Sequence, residues 1–260
     1  MWPEEPAVSA EEMSAVRARL GGAAKASRPD GTPGRSWALA TRVLGDRMGR
    51  LFTACLRSGA FSSRWRRANL VLLQKDGKPP EQPSAYRPIC LLDEAGKLYE
   101  RVIVGRLVQH LSRDGPTSSD KQYGFREGRS TLDAIRHVCF FSEAVVEKGG
   151  GSGTSGIVGY CERLQLPPLG LSGAAFEHLQ LLPYLRAVLW DYLRGRTFAY
   201  KDGTGAVCER RMYRGVPQGS VLGLMLWNFG YDVVLRAVLP PGFDVVCYAD
   251  DTLVMARGED

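Results

Sequence analysis

Residues 243–256 read Phe-Asp-Val-Val-Cys-Tyr-Ala-Asp-Asp-Thr-Leu-Val-Met-Ala, two apolar runs of strand length on either side of the adjacent pair Asp250 and Asp251. Such runs around a short polar step predict a β-hairpin with the acids at its tip. Two neighbouring carboxylates between buried strands repel each other and lose solvation, and a hard cation that neutralises them is one way to keep them there. Magnesium, or manganese in its place, suits this chemistry because it accepts oxygen ligands and is held by one or two carboxylates plus substrate phosphates. Plain turn chemistry is the other reading, since aspartate is a common turn residue.

With 260 residues the chain has length for one large domain or two close subdomains around a real core. At 44% hydrophobic and 24% charged residues, the composition is that of a globular protein rather than a disordered or collagenous one. No apolar run reaches the length of a membrane span. The start, MWPEEPAVSAEEM, lacks the basic-then-apolar order of a secretory signal, so an intracellular protein without a membrane role is expected. Cys55, Cys90, Cys139, Cys161, Cys208 and Cys247 are scattered, with no CxxC, which argues against both a disulfide framework and zinc. The net charge of +6 is compatible with a phosphate-bearing partner.

Local signals predict a mixed α/β chain. Ser9 and Glu12 form a capping box ahead of Met13, Val16 and Leu20. Trp37, Ala40, Leu44, Met48, Leu51 and Cys55 keep helical spacing and predict a single helix stopped by Gly59, with Arg42, Arg47 and Arg50 on its other face. Residues 68–74 predict a strand leading into the turn-rich KDGKPPEQP. Helices are expected over about 93–113, 132–146, 182–193 and 221–239, and a hairpin around Asp202-Gly-Thr-Gly205. Residues 148–159, KGGGSGTSGIVG, have a linker's composition inside an otherwise packed chain.

Five ordered segments resemble the reverse transcriptase domain of non-long-terminal-repeat (LINE-like) retrotransposons. They are RPDGTPG at 28–34; SAYRPICLL at 84–92 with Lys97 and Glu100; QYGFREGRST at 122–131; RGVPQGSVLG at 214–223 with Trp227-Asn228; and CYADDT at 247–252. The resemblance implies an α/β (α+β) right-hand polymerase, with an antiparallel palm sheet backed by helices. Its parts are an N-terminal helical extension over 1–59, fingers over 60–130 and a palm over 131–260, and because the chain stops nine residues after Asp251 the thumb is expected to be absent. It implies that Asp250 and Asp251 are the catalytic, metal-binding carboxylates. It also implies that Gln218, Gly219 and Tyr248 line the incoming nucleotide and that Lys75 and Arg87 meet its triphosphate. Cations neutralise phosphate, and arginine grips two oxygens at once. Arg126 and Arg129 are expected to border the template. Ordinary readings stay open beside these: Lys75 as a solvated loop lysine, Arg87 as buried against a structural carboxylate, Arg126 and Arg129 as surface charge.

Two-metal nucleotidyl transfer needs a carboxylate on each side of the reacting phosphate, with the ions about 4 Å apart. The family supplies a further aspartate from a strand resembling LDVRNAFNSLPW, yet this chain has no aspartate from Ala134 to Trp190. Residues 159–170 read GYCERLQLPPLG, and one permitted codon spelling, read one base later, gives ATVNAFNSLPW. Two compensating insertions or deletions are therefore expected to have displaced about residues 148–173 from frame, weakening the central palm strand and impairing catalysis. Glu162, in the displaced segment, is the only acid there that could replace the aspartate.

The function implied is RNA-directed DNA synthesis with Mg2+ (or Mn2+), a template RNA, a DNA primer or target and deoxynucleoside triphosphates. The alternative is a non-catalytic remnant that at most binds RNA, with Arg64, Arg66 and Arg67 touching phosphate. A nuclear location follows from the resemblance alone.

Overall fold

The computed structural model describes residues 6–20, 29, 31–32, 34–113, 119–148, 160–162, 169–213 and 215–256. In chain order the elements are α1 (Ala10–Ala18), α2 (Gly34–Val43), α3 (Gly45–Ser58), α4 (Ser63–Arg66), β1 (Arg67–Gln74), β2 (Tyr86–Leu91), α5 (Glu94–Arg113) and α6 (Thr131–Lys148). Then follow β3 (Tyr160–Glu162), α7 (Leu169–His178), α8 (Pro183–Leu193), β4 (Thr197–Lys201), β5 (Val207–Arg211), α9 (Leu222–Leu235), β6 (Phe243–Tyr248) and β7 (Asp251–Ala256). The chain forms two compact units, one of residues 1–115 and 179–223, the other of 116–178 and 224–260.

The first unit holds a four-stranded sheet in the order β2-β1-β4-β5. Its β1–β2 and β4–β5 pairs are antiparallel, while β1 and β4 run parallel, a mixture the sequence did not reveal. Strand β2, where the local sequence signals assign no element, carries Pro88; a proline is tolerated there because β2 is an edge, where a missing N–H leaves no ladder bond unmade. The helical side of this unit is organised by aromatic rings. Tyr99 on α5 stacks on Phe52 of α3 at 5.2 Å and on Phe61 at 5.7 Å, and Phe61 meets Tyr192 of α8 edge-on at 5.0 Å. Ser9 and Glu12 form the expected capping box, and the same glutamate takes Arg106 of α5 at 2.7 and 2.9 Å, so one side chain starts α1 and ties it to α5. The single helix expected over residues 37–55 is two helices that break at Leu44, ahead of the poor helix former Gly45. Gly59 ends α3 in the left-handed conformation at φ +62°, as its position predicts.

The second unit holds an antiparallel sheet in the order β3-β7-β6 with helices on both faces. Strand alternation sorts the side chains. Val246, Leu253 and Met255 pack with Ala134, Val138 and Phe141 of α6, while Val245, Cys247 and Val254 pack with Trp227, Tyr231 and Leu235 of α9. Two short apolar strands are thus buried on both faces, which is why they read as nearly continuous apolar runs. Residues 149–159 and 163–168, most of the stretch expected to be out of frame, lie outside the described residues. Its three described strand residues form β3, and among the described residues β3 lies at the sheet edge with β7 central, not at the centre where a strand is expected. Among the described residues no helix is long and apolar enough to cross a membrane. Cys55, Cys90, Cys139, Cys208 and Cys247 are free thiols.

Candidate functional site

The hairpin of β6 and β7 is closed by Ala249-Asp250, with Tyr248 and Asp251 as register partners. Tyr248, Asp250 and Asp251 are exposed, and Ala249 between them is buried. Ala249 has φ +59°, a conformation that two-residue hairpin turns demand and that glycine takes more readily than alanine. The turn is held from below. Gln122 accepts from the Ala249 N–H at 3.2 Å and donates to the Ala249 carbonyl at 3.3 Å, and the Trp227 indole donates to that carbonyl at 3.1 Å. Burial pushes the Cys247 thiol up, which keeps it a neutral neighbour of the two acids.

Two adjacent exposed carboxylates suit one hard divalent cation completed by water and phosphate oxygens. Among the described residues no group of three or more His, Cys, Asp or Glu is placed to hold a metal. The β3–β7 register nevertheless sets Glu162 opposite Asp251. Strand β3 therefore puts an acidic residue, by backbone position, beside the carboxylate turn.

Of the residues expected to meet the nucleotide, Lys75, Arg87, Gln218 and Gly219 belong to the first unit, while Tyr248 belongs to the second, beside the carboxylate turn. Arg87 lies opposite Leu73 across β1–β2, and strand alternation puts Lys75 on the same face as Arg87. Arg87 is exposed, so the reading that buries it against a carboxylate does not hold. Lys75 Nζ donates to the Ser84 carbonyl at 2.9 Å, which ties the ends of the hairpin together. The loop carrying Gln218 and Gly219 docks on β2, where the Cys90 N–H donates to the Gln218 carbonyl at 2.7 Å. Gly219, at φ +114°, brings its backbone so close that a Cβ would sit 2.6 Å from the Cys90 oxygen. Glu100 of α5, 1% exposed, holds the other end of the loop. Its Oε2 accepts from the Ser220 hydroxyl at 2.8 Å, the Val221 N–H at 2.6 Å and the Leu222 N–H at 3.1 Å, capping the start of α9.

Arg126 and Arg129 are in the second unit with the carboxylate turn. Arg126 donates to the Ser119 carbonyl at 2.6 Å, and Arg129 pairs with Asp120 at 2.9 Å while lying over the Tyr123 ring at 5.4 Å. Both thus shape the loop they sit on. Sequence reasoning assigned no role to Gln122, Trp227 or Glu100, although each stands inside a quoted motif; what they hold is 100 residues or more distant for Gln122 and Glu100, and so invisible to local pattern.

A family profile described as "Reverse transcriptase (RNA-dependent DNA polymerase)" matches residues 174–260. The chain is 31% identical over 259 residues, 97% of its length, to the "Putative 115 kDa protein in type-1 retrotransposable element R1DM" of Drosophila melanogaster. It is 31% identical over 218 residues, 80% of its length, to the "Probable RNA-directed DNA polymerase from transposon X-element" of the same organism. It spans about a quarter of those relatives, 24% and 23%. Among solved structures, an apo telomerase of Candida Tropicalis truncated from its C-terminal domain matches with a TM-score of 0.51 over 84% of this chain and 49% of that one, at 12% identity, a likeness of fold. The chain therefore carries a reverse transcriptase family domain and is a homologue of the non-long-terminal-repeat retrotransposon polymerases.

Proposed function

We propose that the chain is the RNA-directed DNA polymerase domain of a retrotransposon, copying a template RNA onto a DNA primer from deoxynucleoside triphosphates. The observation that carries this reading is the rigidly framed turn that exposes Asp250 and Asp251 together, in a homologue of such polymerases. The sheet of β3, β7 and β6 with α6 and α9 is the palm, and β1–β2 belongs to the fingers. Asp250 and Asp251 hold Mg2+, which when bound supplies charge neutralisation at the reacting phosphate. Lys75 and Arg87 meet the triphosphate from one face of the finger hairpin. The Gln218-Gly219 loop and Tyr248 line the nucleotide, and Arg126 and Arg129 border the template path.

Two-metal transfer is impaired in this chain because the opposing palm aspartate is missing. The second reading, a remnant that binds RNA without copying it, is favoured by the lack of any aspartate from Ala134 to Trp190, the stretch in which the family supplies its further palm carboxylate. Primer extension on poly(rA)/oligo(dT) with Mg2+ separates the two. Weak extension that disappears in Asp250→Asn supports the polymerase; no extension together with salt-sensitive RNA binding supports the remnant.

A further inference from the structure

We propose that Gln122 is a positioning residue that aims the Asp250 and Asp251 carboxylates, by fixing both peptide planes that flank Ala249. This rests on the reading of those two acids as cation ligands. The Ala249 N–H belongs to the peptide entering the turn, and the Ala249 carbonyl belongs to the peptide leading into Asp250. A carboxamide carries both an acceptor and donors, and Gln122 spends one on each plane at 3.2 and 3.3 Å. Its Oε1 also accepts from the Gly124 N–H at 2.9 Å, and Nε2 lies 3.2 Å from Cys247 Sγ, so both ends of the amide are fixed in turn.

The surroundings make these bonds count. Gln122 is 2% exposed, so water does not replace a lost partner. Its own segment lies along β6 like a further strand, with Tyr123 N–H donating to Cys247 O and Cys247 N–H donating to Lys121 O, both at 2.8 Å. At Gly124 the approach is so close that a Cβ would fall 2.1 Å from the Ala249 nitrogen, and this close backbone packing leaves room for nothing larger than glycine. Ala249 itself is held at φ +59°, where an L side chain is unfavourable. A flip of the peptide between Ala249 and Asp250 would exchange one two-residue turn type for the other and re-aim Asp250. Gln122 and the Trp227 indole, both donating to that carbonyl, oppose the flip. Groups that orient metal ligands typically matter by about 10–100-fold in metal affinity.

The test measures Mn2+ affinity by electron paramagnetic resonance and amide hydrogen exchange at Ala249 and Cys247, in the full chain and in Gln122→Ala, Gln122→Met and Asp250→Asn. Gln122→Met keeps the length of the side chain and preserves packing where Gln122→Ala fails to fold. Expected for the Gln122 variants are Mn2+ binding weakened by about 10-fold or more and fast exchange at Ala249, with the Cys247 amide, held by Lys121, still protected. Mn2+ affinity within twofold of the parent in Gln122→Met overturns the proposal. So does exchange that accelerates equally at both amides with unchanged affinity, the mark of a merely structural residue. Asp250→Asn keeps the two readings apart. Mn2+ binding that is absent from the parent chain, or unaltered by Asp250→Asn, removes the carboxylate reading and the proposal with it; binding lost in Asp250→Asn but intact in Gln122→Met removes the proposal alone.

Discussion

Asp244 of β6 is a charged group set into the second unit's framework. It takes His137 Nε2 at 2.8 Å and the Val245 N–H at 2.7 Å, with Lys121 Nζ at 3.5 Å, while His137 Nδ1 meets the Tyr123 hydroxyl at 2.8 Å. Burial raises the Asp244 pKa, but the hydrogen bonds from His137 and Val245 and the charges of His137 and Lys121 together hold it below the usual aspartate value. A depressed folded-state value means that ionised Asp244 stabilises the fold above the unfolded-state pKa, and that this contribution is lost as pH falls through the lower folded-state one. Urea unfolding followed below about pH 4 should therefore show a steeper loss of stability in the parent than in Asp244→Asn. At Gly219 the prediction is steric. Gly219→Ala places a Cβ against the Cys90 oxygen at φ +114° and should cost roughly 1–3 kcal/mol, read from the urea midpoint. The sequence marked Gly219 as part of a motif; the reason for glycine, a carbonyl contributed by a strand more than a hundred residues earlier, became visible only in the fold.

Among the elements, α9 depends on a cap from outside itself. Glu100→Ala leaves the Val221 and Leu222 N–H groups without their buried acceptor and should destabilise the chain by roughly 2–4 kcal/mol in urea titration. Glu100→Gln, which keeps an acceptor oxygen, should cost less. The existence of α9, α5 and the β6–β7 hairpin was legible because each buries a periodic apolar set. Strand β2, with its proline, was not, since its strand character comes from pairing with β1 at an edge. Nor was the place of β3, whose pairing with β7 sets Glu162 against Asp251. If the position of Glu162 is an accident of frame, Glu162→Gln leaves Mn2+ affinity unchanged; a weakened affinity would make this residue the missing third ligand.

At the scale of the molecule, the net charge of +6 and the exposed Arg64 suggest a phosphate-binding face near the start of β1. The three arginines expected to share it are not equivalent. Arg66 is bound to Asp191 at 2.6 Å and to the Phe61 carbonyl at 2.6 and 2.9 Å, whereas Arg67 makes only a loose exposed pair with Glu209 at 3.4 Å. Replacing Arg64 and Arg67 with alanine should lower the slope of RNA affinity against salt by about 0.7 for each single-strand phosphate that is no longer neutralised, while Arg66→Ala should instead lower the unfolding midpoint. The sequence by itself determined most of the longer helices, the acidic hairpin and the family resemblance, because periodic burial, turn chemistry and motif order are written in neighbouring residues; the break at Leu44 that splits α2 from α3 was not among them. Only the tertiary structure decided that Gln122 and Trp227 hold Ala249, that Glu100 caps α9 and that β3 brings Glu162 to the register of Asp251. Those pairings join groups far apart along the chain, and their energy arises from burial and partner geometry that a linear pattern does not contain.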